Sequence, residues 1–368
     1  MDLRVFSEAD KRGHEQVAFF NFPEVGLKSI VAIHSTVLGP ALGGCRMRLY
    51  SKEVEALDDV MRLSEGMTYK NSVAGLDLGG GKCCVIADPQ METGRDELFR
   101  KFGECLDRLA GMYITAEDMG TTVHDVMVMR EVTKYAAGFA REDGGGGDPS
   151  PWTALGVFHA MRAGCEKRYG SPDLTGKHVT VQGVGHVGQY LLGHLKEAGA
   201  IFTVTDTNPK ALELAKQNFG AKVVELDAIY DVDCDIYAPC AVGQTVNAKT
   251  IARLKCDIIA GAANNQLTDS SVYSMIEEKG LMYLPDFVIN SGGVISVGGE
   301  YIEGGWSEKW VTDKTNAIYL TTHLVIEQSE KRKKFSEVVA LEIAKERVEH
   351  ARNNGLSWSE KQLHGKNT

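Results

Sequence analysis

Three residues in the first third of the chain could do chemistry together. Lys82 follows a glycine run in "GLDLGGGK", Lys70 stands earlier in "GMTYKNSVAG", and Asp118 closes an apolar stretch in "YITAEDMGTT". A glycine pair, Gly43 and Gly44, lies upstream in "GPALGGCR". Two ammonium groups, a carboxylate and uncovered backbone amides suit dehydrogenation at an amino-bearing carbon. One cation can hold an α-carboxylate while the other groups move protons at the α-carbon. The competing explanation for glycines ahead of a lysine is a phosphate loop, GxxxxGK[ST]. It fails on spacing, because position 76 is Leu76 and the residue after the lysine is Cys83. A lone lysine is most often a solvated surface charge, but the triple glycine in front of Lys82 points to close access instead.

The second half carries a different pattern. In "HVTVQGVGHVGQ" the loop Gly183, Val184, Gly185, His186, Val187, Gly188 has GxGxxG spacing between an apolar run and a helical one. The first glycine permits a tight turn, the second lets a pyrophosphate approach the backbone, and the third lets helix meet strand. The next apolar run ends "FTVTD", so Asp206 falls where a carboxylate can take both ribose hydroxyls of an adenosine. That charge would repel a 2′-phosphate, so the expected cofactor is NAD rather than NADP.

These residues need elements to hold them. "LKSIVAIHSTVL" and "KCCVIAD" read as strands, and "KEVEALDDVMRLSEGMTYKNSVA" reads as a helix with Val54, Leu57, Val60, Met61, Ser64 and Met67 at helical spacing. After "REDGGGGDPSP", a mobile glycine run beside stiff prolines that suits a hinge, strands alternate with helices, which predicts a parallel sheet covered on both faces. The end of the chain, from Lys314, reads as helical throughout. We expect a first domain at 1–143, with helices from about 330–368 packing back on it, and a dinucleotide-binding domain at 144–329.

Composition narrows the function classes. The chain has 368 residues, enough for two cores, with 40 basic and 50 acidic residues and a net charge of −10. That balance argues against nucleic acid and anionic membranes as partners and suits a small-molecule substrate. Eight cysteines show no CxxC spacing and no metal-type pairing with histidine, so no metal and a reduced, cytoplasmic setting are expected. No apolar run is long enough to span a membrane.

The blocks "GPALGGCR", "RLSEGMTYKNSVAGLDLGGGK", "YITAEDMGTT", "GDPSPWTALGVF", "VQGVGHVG", "IYAPCAVG", "GAANNQL" and "PDFVINSGG" together resemble the glutamate/leucine/phenylalanine/valine dehydrogenase family. The resemblance runs in order from about Gly13 to about Arg352. It implies an α/β, two-domain amino-acid dehydrogenase, with an N-terminal α/β substrate domain plus a Rossmann dinucleotide-binding domain. The implied reaction is reversible, NAD-dependent deamination of an L-amino acid to a 2-oxo acid and ammonium in the cleft between the domains. By motif, the resemblance implies that Lys70 binds the substrate carboxylate beside Gly43 and Gly44. Lys82 would activate water and Asp118 would carry protons for the amino group. Thr153 and Asn290 would hold the nicotinamide carboxamide, with Asn264, or its neighbour Asn265, between cofactor and substrate. It also implies a homo-oligomer.

Glutamate-specific relatives place a lysine where this chain has Leu42, and an unpaired carboxylate against leucine would cost several kcal/mol. Ala116, Val294 and Val297 match pocket positions of the leucine enzymes. Leucine, valine and isoleucine are therefore expected as substrates, with phenylalanine the alternative. A non-catalytic NAD-binding regulator and a hydroxy-acid dehydrogenase are the competing classes. Intact Lys70, Lys82 and Asp118 disfavour the first, and the absence of a histidine base with an arginine clamp after the glycine turn disfavours the second.

Overall fold

The computed structural model describes residues 5–354 and divides into two compact units. The first takes the described residues of Met1–Asp148, Ser296–Glu308 and Ala344–Thr368, and the second takes Pro149–Ile295 and Lys309–Ile343. The division thus falls five residues past the expected 143, inside "REDGGGGDPSP". Residues 330–343 stay with the second unit, and only from Ala344 does the final helix, Ser336–Asn353, join the first. The part of the expected C-terminal return at 355–368 lies outside the described residues. The terminal stretch also breaks into three helices, Glu308–Asn316, Ile318–Arg332 and Ser336–Asn353. No helix among the described residues is long and apolar enough to cross a membrane.

In the first unit, strands β1 (Gln16–Phe22), β2 (Leu27–Ser35), β3 (Ala41–Met47), β4 (Gly79–Val85) and β5 (Tyr113–Glu117) form one sheet in the order β1-β2-β4-β3-β5. β2 runs antiparallel to β1 and β4, whereas β3 is parallel to β4 and β5. Side chains alternate between the two faces of a strand. On one face Val31, Ile33, Cys45, Met47, Cys83 and Val85 pack with Phe99, Phe102, Leu106 and Met129. On the other, Ile30, Ala32 and Cys84 pack under Ala56, Leu57, Val60 and Met61 of the helix Glu53–Val73. Cys83 and Cys84 therefore face opposite sides, and all eight cysteines are free. Of the residues expected on the buried helix stripe, Val54 is exposed. Its C-terminal half instead buries Thr68, Asn71 and Ser72.

The three glycines before Lys82 are not an open loop but the first residues of β4. A Cβ on Gly79 would lie 1.9 Å from the Ser35 carbonyl oxygen, one on Gly80 2.1 Å from the Thr68 amide nitrogen, and one on Gly81 2.5 Å from the Tyr113 ring. Gly80 lets the helix Glu53–Val73 settle onto the sheet, while Gly79 and Gly81 make room for the Ser35 backbone and the Tyr113 ring. The side-chain amide of Asn71 then donates to the Gly79 carbonyl at 2.5 Å and the Leu42 carbonyl at 3.4 Å, pinning the last turn of that helix over the strands.

The presumed hinge is packed as well. Gly145 and Gly146 are buried, and a Cβ on Gly146 would meet the Trp306 indole at 2.7 Å. The Glu300 carboxylate accepts the amides of Gly138 at 2.8 Å and Gly146 at 2.7 Å. The glycine run is thus held from a segment more than 150 residues away, not left mobile.

The second unit is a six-stranded parallel sheet of β6 (His178–Gln182), β7 (Ile201–Thr205), β8 (Lys222–Val223), β9 (Ile236–Pro239), β10 (Ile258–Ile259) and β11 (Met282–Tyr283). Its order is β11-β10-β9-β6-β7-β8, which is the doubly wound dinucleotide-binding order. The strand order reverses between β6 and β9, the place where such sheets bind ligands at their carboxyl ends.

Candidate active site

Three neighbouring strands of the first unit build one cluster. Leu42 pairs with Gly80 and Arg46 with Cys84 across β3 and β4, while Gly44 pairs with Ala116 across β3 and β5. Period two gives Gly80, Lys82 and Cys84 the face covered by the helix Glu53–Val73. Asp118 follows directly on β5. Lys82, 6% exposed, places its Nζ 3.0 Å from Asp118 Oδ2. Arg46 Nε donates to the same oxygen at 3.0 Å. Burial alone would raise the Asp118 carboxyl, but Lys82 and Arg46 outweigh it and hold it below the ordinary carboxylate range.

Local backbone makes this convergence fit. A Cβ on Gly44 would lie 2.7 Å from the Asp118 Cβ, and one on Gly43 1.8 Å from the Gly81 carbonyl oxygen, so neither position has room for a side chain. β3 pairs with β4 at Leu42 and again at Cys45 but not at Gly43 or Gly44. Thr121 Oγ donates to the Cys45 carbonyl at 2.8 Å and receives the Asp118 amide at 2.9 Å, fixing the turn after β5. Lys70 is half-buried in the last turn of the helix Glu53–Val73, the turn that Asn71 pins onto Gly79. Leu42 and Ala116 are buried, and a Cβ on Gly298 would come 3.8 Å from Leu42. Val297 sits beside Gly298 in the first unit, whereas Val294, on the same helix Gly292–Gly298, belongs to the second.

The sequence reading missed Arg46 and Asp59. Arg46 Nη1 donates to Asp59 Oδ2 at 2.9 Å, and the Tyr50 hydroxyl donates to the same oxygen at 2.9 Å. A charged residue facing a helix from a central strand was the available signal, since such a charge requires a partner.

In the second unit the glycine turn shows three separate roles. Gly183 has φ 103°, and a Cβ there would strike Ala241 at 2.6 Å. A Cβ on Gly188 would meet the Gly183 carbonyl oxygen at 2.3 Å, so the helix His186–Glu197 lies against the turn. A Cβ on Gly185 meets nothing within 4 Å. This is the arrangement a pyrophosphate needs: a tight turn, a close-set helix start and open backbone between them. Val184, His186 and Val187 complete that turn and helix start. Asp206, at the end of β7, accepts the Val184 amide at 2.7 Å and the Asn208 amide at 2.8 Å.

Of the expected carboxamide-binding residues, Asn290 meets Asn264. The side-chain amide of Asn290 donates to Asn264 Oδ1 at 2.9 Å and to the Ala262 carbonyl at 3.1 Å. Its own Oδ1 is buried and, among the described residues, has no hydrogen-bond partner, which leaves an acceptor for an amide donor. Thr153 Oγ1 donates to the Pro149 carbonyl at 3.1 Å, and a Cβ on Gly293 would press on that hydroxyl at 2.5 Å. Of the two candidate asparagines, Asn264 is the one bonded to Asn290, while Asn265 adopts φ 52°. The residues present fit a dinucleotide.

Comparison with known proteins agrees with both halves. Residues 14–135 match the family described as "Glu/Leu/Phe/Val dehydrogenase, dimerisation domain", and residues 144–210 and 204–355 match "Glutamate/Leucine/Phenylalanine/Valine dehydrogenase". The leucine dehydrogenase of Thermoactinomyces intermedius is 45% identical over 360 residues, 98% of each chain. The phenylalanine dehydrogenase of the same organism is 44% identical over 317 residues, 86% of each. The crystal structure of L-tryptophan dehydrogenase from Nostoc punctiforme superposes with a TM-score of 0.84 at 40% identity, covering 95% of this chain and 99% of that one. The chain belongs to the glutamate/leucine/phenylalanine/valine dehydrogenase family and is an amino-acid dehydrogenase, a pyridine-nucleotide-dependent oxidoreductase.

Proposed function

We propose that the chain catalyses reversible, NAD-dependent deamination of an apolar L-amino acid, with leucine, valine and isoleucine ahead of phenylalanine, to the 2-oxo acid and ammonium. The observation that carries this reading is buried Lys82 paired at 3.0 Å with half-buried Asp118, on a strand face that also holds Leu42 and Ala116. When bound, the nicotinamide supplies the acceptor for the α-hydrogen as hydride.

The chain's own groups do the rest. Lys70 holds the substrate α-carboxylate beside Gly43 and Gly44, which orients the α-carbon. Asp118 takes a proton from the substrate nitrogen, so that loss of the α-hydride leaves an imine. Lys82 then removes a proton from the water that attacks the imine carbon, Asp118 returns its proton to the nitrogen, and the new hydroxyl gives up its proton as the C–N bond breaks, leaving the 2-oxo acid and ammonia, which becomes ammonium on protonation in water. Leu42, Ala116 and Val297 form the wall for the substrate side chain and offer no cation to an acidic one. Thr153 and Asn290 hold the carboxamide, with Asn264 bonded to Asn290. The Gly183–Gly188 turn takes the pyrophosphate. Asp206, pinned by two amides, takes the ribose hydroxyls, and its fixed negative charge favours NAD over NADP.

Self-association through the first unit belongs to the same reading, because residues 14–135 match a domain described by dimerisation. A panel of L-amino acids assayed with NAD and with NADP tests the whole. We expect branched aliphatic substrates with NAD to lead glutamate by at least about 100-fold in kcat/KM, the scale of several kcal/mol for an unpaired carboxylate. Phenylalanine or tryptophan in the lead would move the pocket to aromatic substrates. Turnover of glutamate at the leucine rate would overturn the role given to Leu42.

A further inference from the structure

We propose that Arg46, held by Asp59 and Tyr50, is a positioning residue that fixes Asp118 in place and keeps its carboxylate a weak base while Lys82 gains and loses its proton. The inference rests on the reading above, in which Asp118 carries protons for the substrate nitrogen.

The geometry divides the Asp118 carboxylate in two. Lys82 Nζ and Arg46 Nε both approach Oδ2, each at 3.0 Å. Among the described residues no hydrogen bond reaches Oδ1, so that oxygen is the one available to a substrate proton. Arg46 is itself clamped, because its Nη1 donates to Asp59 Oδ2 at 2.9 Å. Asp59 is held in turn by the Tyr50 hydroxyl on Oδ2 and by Arg62 Nη2 on Oδ1, each at 2.9 Å. The side chains of Arg46 and Asp59 are only 15% and 14% exposed, so these bonds work with little solvent screening.

The two cations on Oδ2 differ in kind. A lysine can lose its proton, whereas a guanidinium stays charged throughout the working range and makes bonds in a fixed plane. Whenever Lys82 passes through its neutral form, Asp118 loses one of its two positive neighbours. With Arg46 present it keeps the other, so the carboxylate does not swing away, and a proton it has taken goes back to the nitrogen instead of being retained. A lysine at position 46 could not serve Asp118 and Asp59 together with the same reach, since a point charge lacks the fork.

The other groups facing this chain of charges do not compensate. Around Asp118 stand Lys82 from β4, with Arg46 and Cys45 from β3. Around Arg46 and Asp59 stand Tyr50, Arg62 and Cys84. The Cys45 thiol is raised by its hydrogen bond with Cys83 and by burial, and burial pushes the Cys84 thiol up to about 12. Burial likewise raises the Tyr50 hydroxyl. All three stay neutral near pH 7, so Arg46 is the only permanent cation on Asp118 among the described residues.

Purified full-length Arg46→Gln, Arg46→Lys, Asp59→Asn and Asp118→Asn enzymes, assayed for amino-acid deamination across pH, test the proposal. Arg46→Gln is expected to lower kcat about 100-fold with little change in cofactor affinity, and to move the acid limb of kcat/KM up by about one pH unit. Arg46→Lys should recover part of both. Asp59→Asn is the decisive variant, because its two effects have opposite signs. Losing a negative charge by field alone would move the acid limb down, whereas releasing Arg46 from its clamp moves it up. An upward shift supports the positioning role, and a downward or absent shift overturns it. Loss of thermal stability with an unmoved acid limb in both Arg46→Lys and Asp59→Asn would show a merely structural ion pair and also overturn it. Asp118→Asn separates the two inferences: if it keeps its turnover and acid limb, the proton-carrying role of Asp118 falls. If it is inactive while the Arg46 and Asp59 variants keep the native profile, only the positioning proposal falls.

Discussion

Two glycine clusters serve the two halves of this enzyme in opposite ways. At Gly79–Gly81 an added Cβ would collide with backbone or ring atoms at 1.9, 2.1 and 2.5 Å. The space beside these glycines is filled, and Gly80 among them lets a helix press onto the sheet over the face that carries Lys82. At Gly185 an added Cβ meets nothing within 4 Å, although Gly183 and Gly188 beside it are crowded. That single glycine borders empty space, where we propose that the pyrophosphate approaches. A glycine run before a functional residue can therefore mean packing or access, and only the atoms around it tell which.

Four substitutions sharpen or break this contrast. The largest effect is expected from Lys82→Ala, which should lower turnover by about 1000-fold or more while cofactor affinity, read by fluorescence titration, is kept. Unchanged turnover would remove Lys82 from the chemistry. Next comes Gly80→Ala, which drives a methyl group into the Thr68 amide nitrogen at 2.1 Å. Denaturant unfolding should show a loss of about 3 kcal/mol, and a neutral result would mean that the helix Glu53–Val73 gives way easily.

Gly185→Ala is the mirror experiment. With φ −67° and no neighbour, the added methyl should leave stability within about 0.5 kcal/mol while weakening cofactor binding about tenfold, because it stands where a pyrophosphate approaches. A large stability loss there would erase the distinction between the clusters. The smallest effect is expected from Asp206→Asn. It keeps an oxygen for only one of the Val184 and Asn208 amides, which bond different oxygens of the carboxylate, and removes the charge, so the NAD-to-NADP ratio of kcat/KM should fall about tenfold with a loss of about 1 kcal/mol in unfolding.

What the sequence disclosed follows from range. The strand, glycine turn, helix and acid of residues 178–206 lie within thirty residues, and their local spacing fixes both the structure and its expected ligand. The strand Leu27–Ser35 and the helix Glu53–Val73 were equally legible, because hydrophobic period is a local property. Gly79–Gly81 were read as a bare approach to Lys82 because Ser35, Thr68 and Tyr113, which occupy the missing side-chain space, are remote in sequence. Arg46 was passed over for the same reason: its meaning lies in Asp118, 72 positions away. The run Gly144–Gly147 looked mobile by composition, yet Glu300, 154 positions from Gly146, ties it down. Composition reports the freedom of an isolated chain and not the bonds it finds once folded.

The chain passes between its two units four times, after Asp148, Ile295, Glu308 and Ile343. A single cut therefore releases neither half with all its parts. Grafting the nucleotide half onto another member of the family, to change cofactor preference, would have to leave residues 296–308 and the chain from 344 onward with the recipient. Exchange of intact halves by simple end-to-end fusion is closed to this architecture, and the second unit can be exchanged only as two internal segments, 149–295 and 309–343.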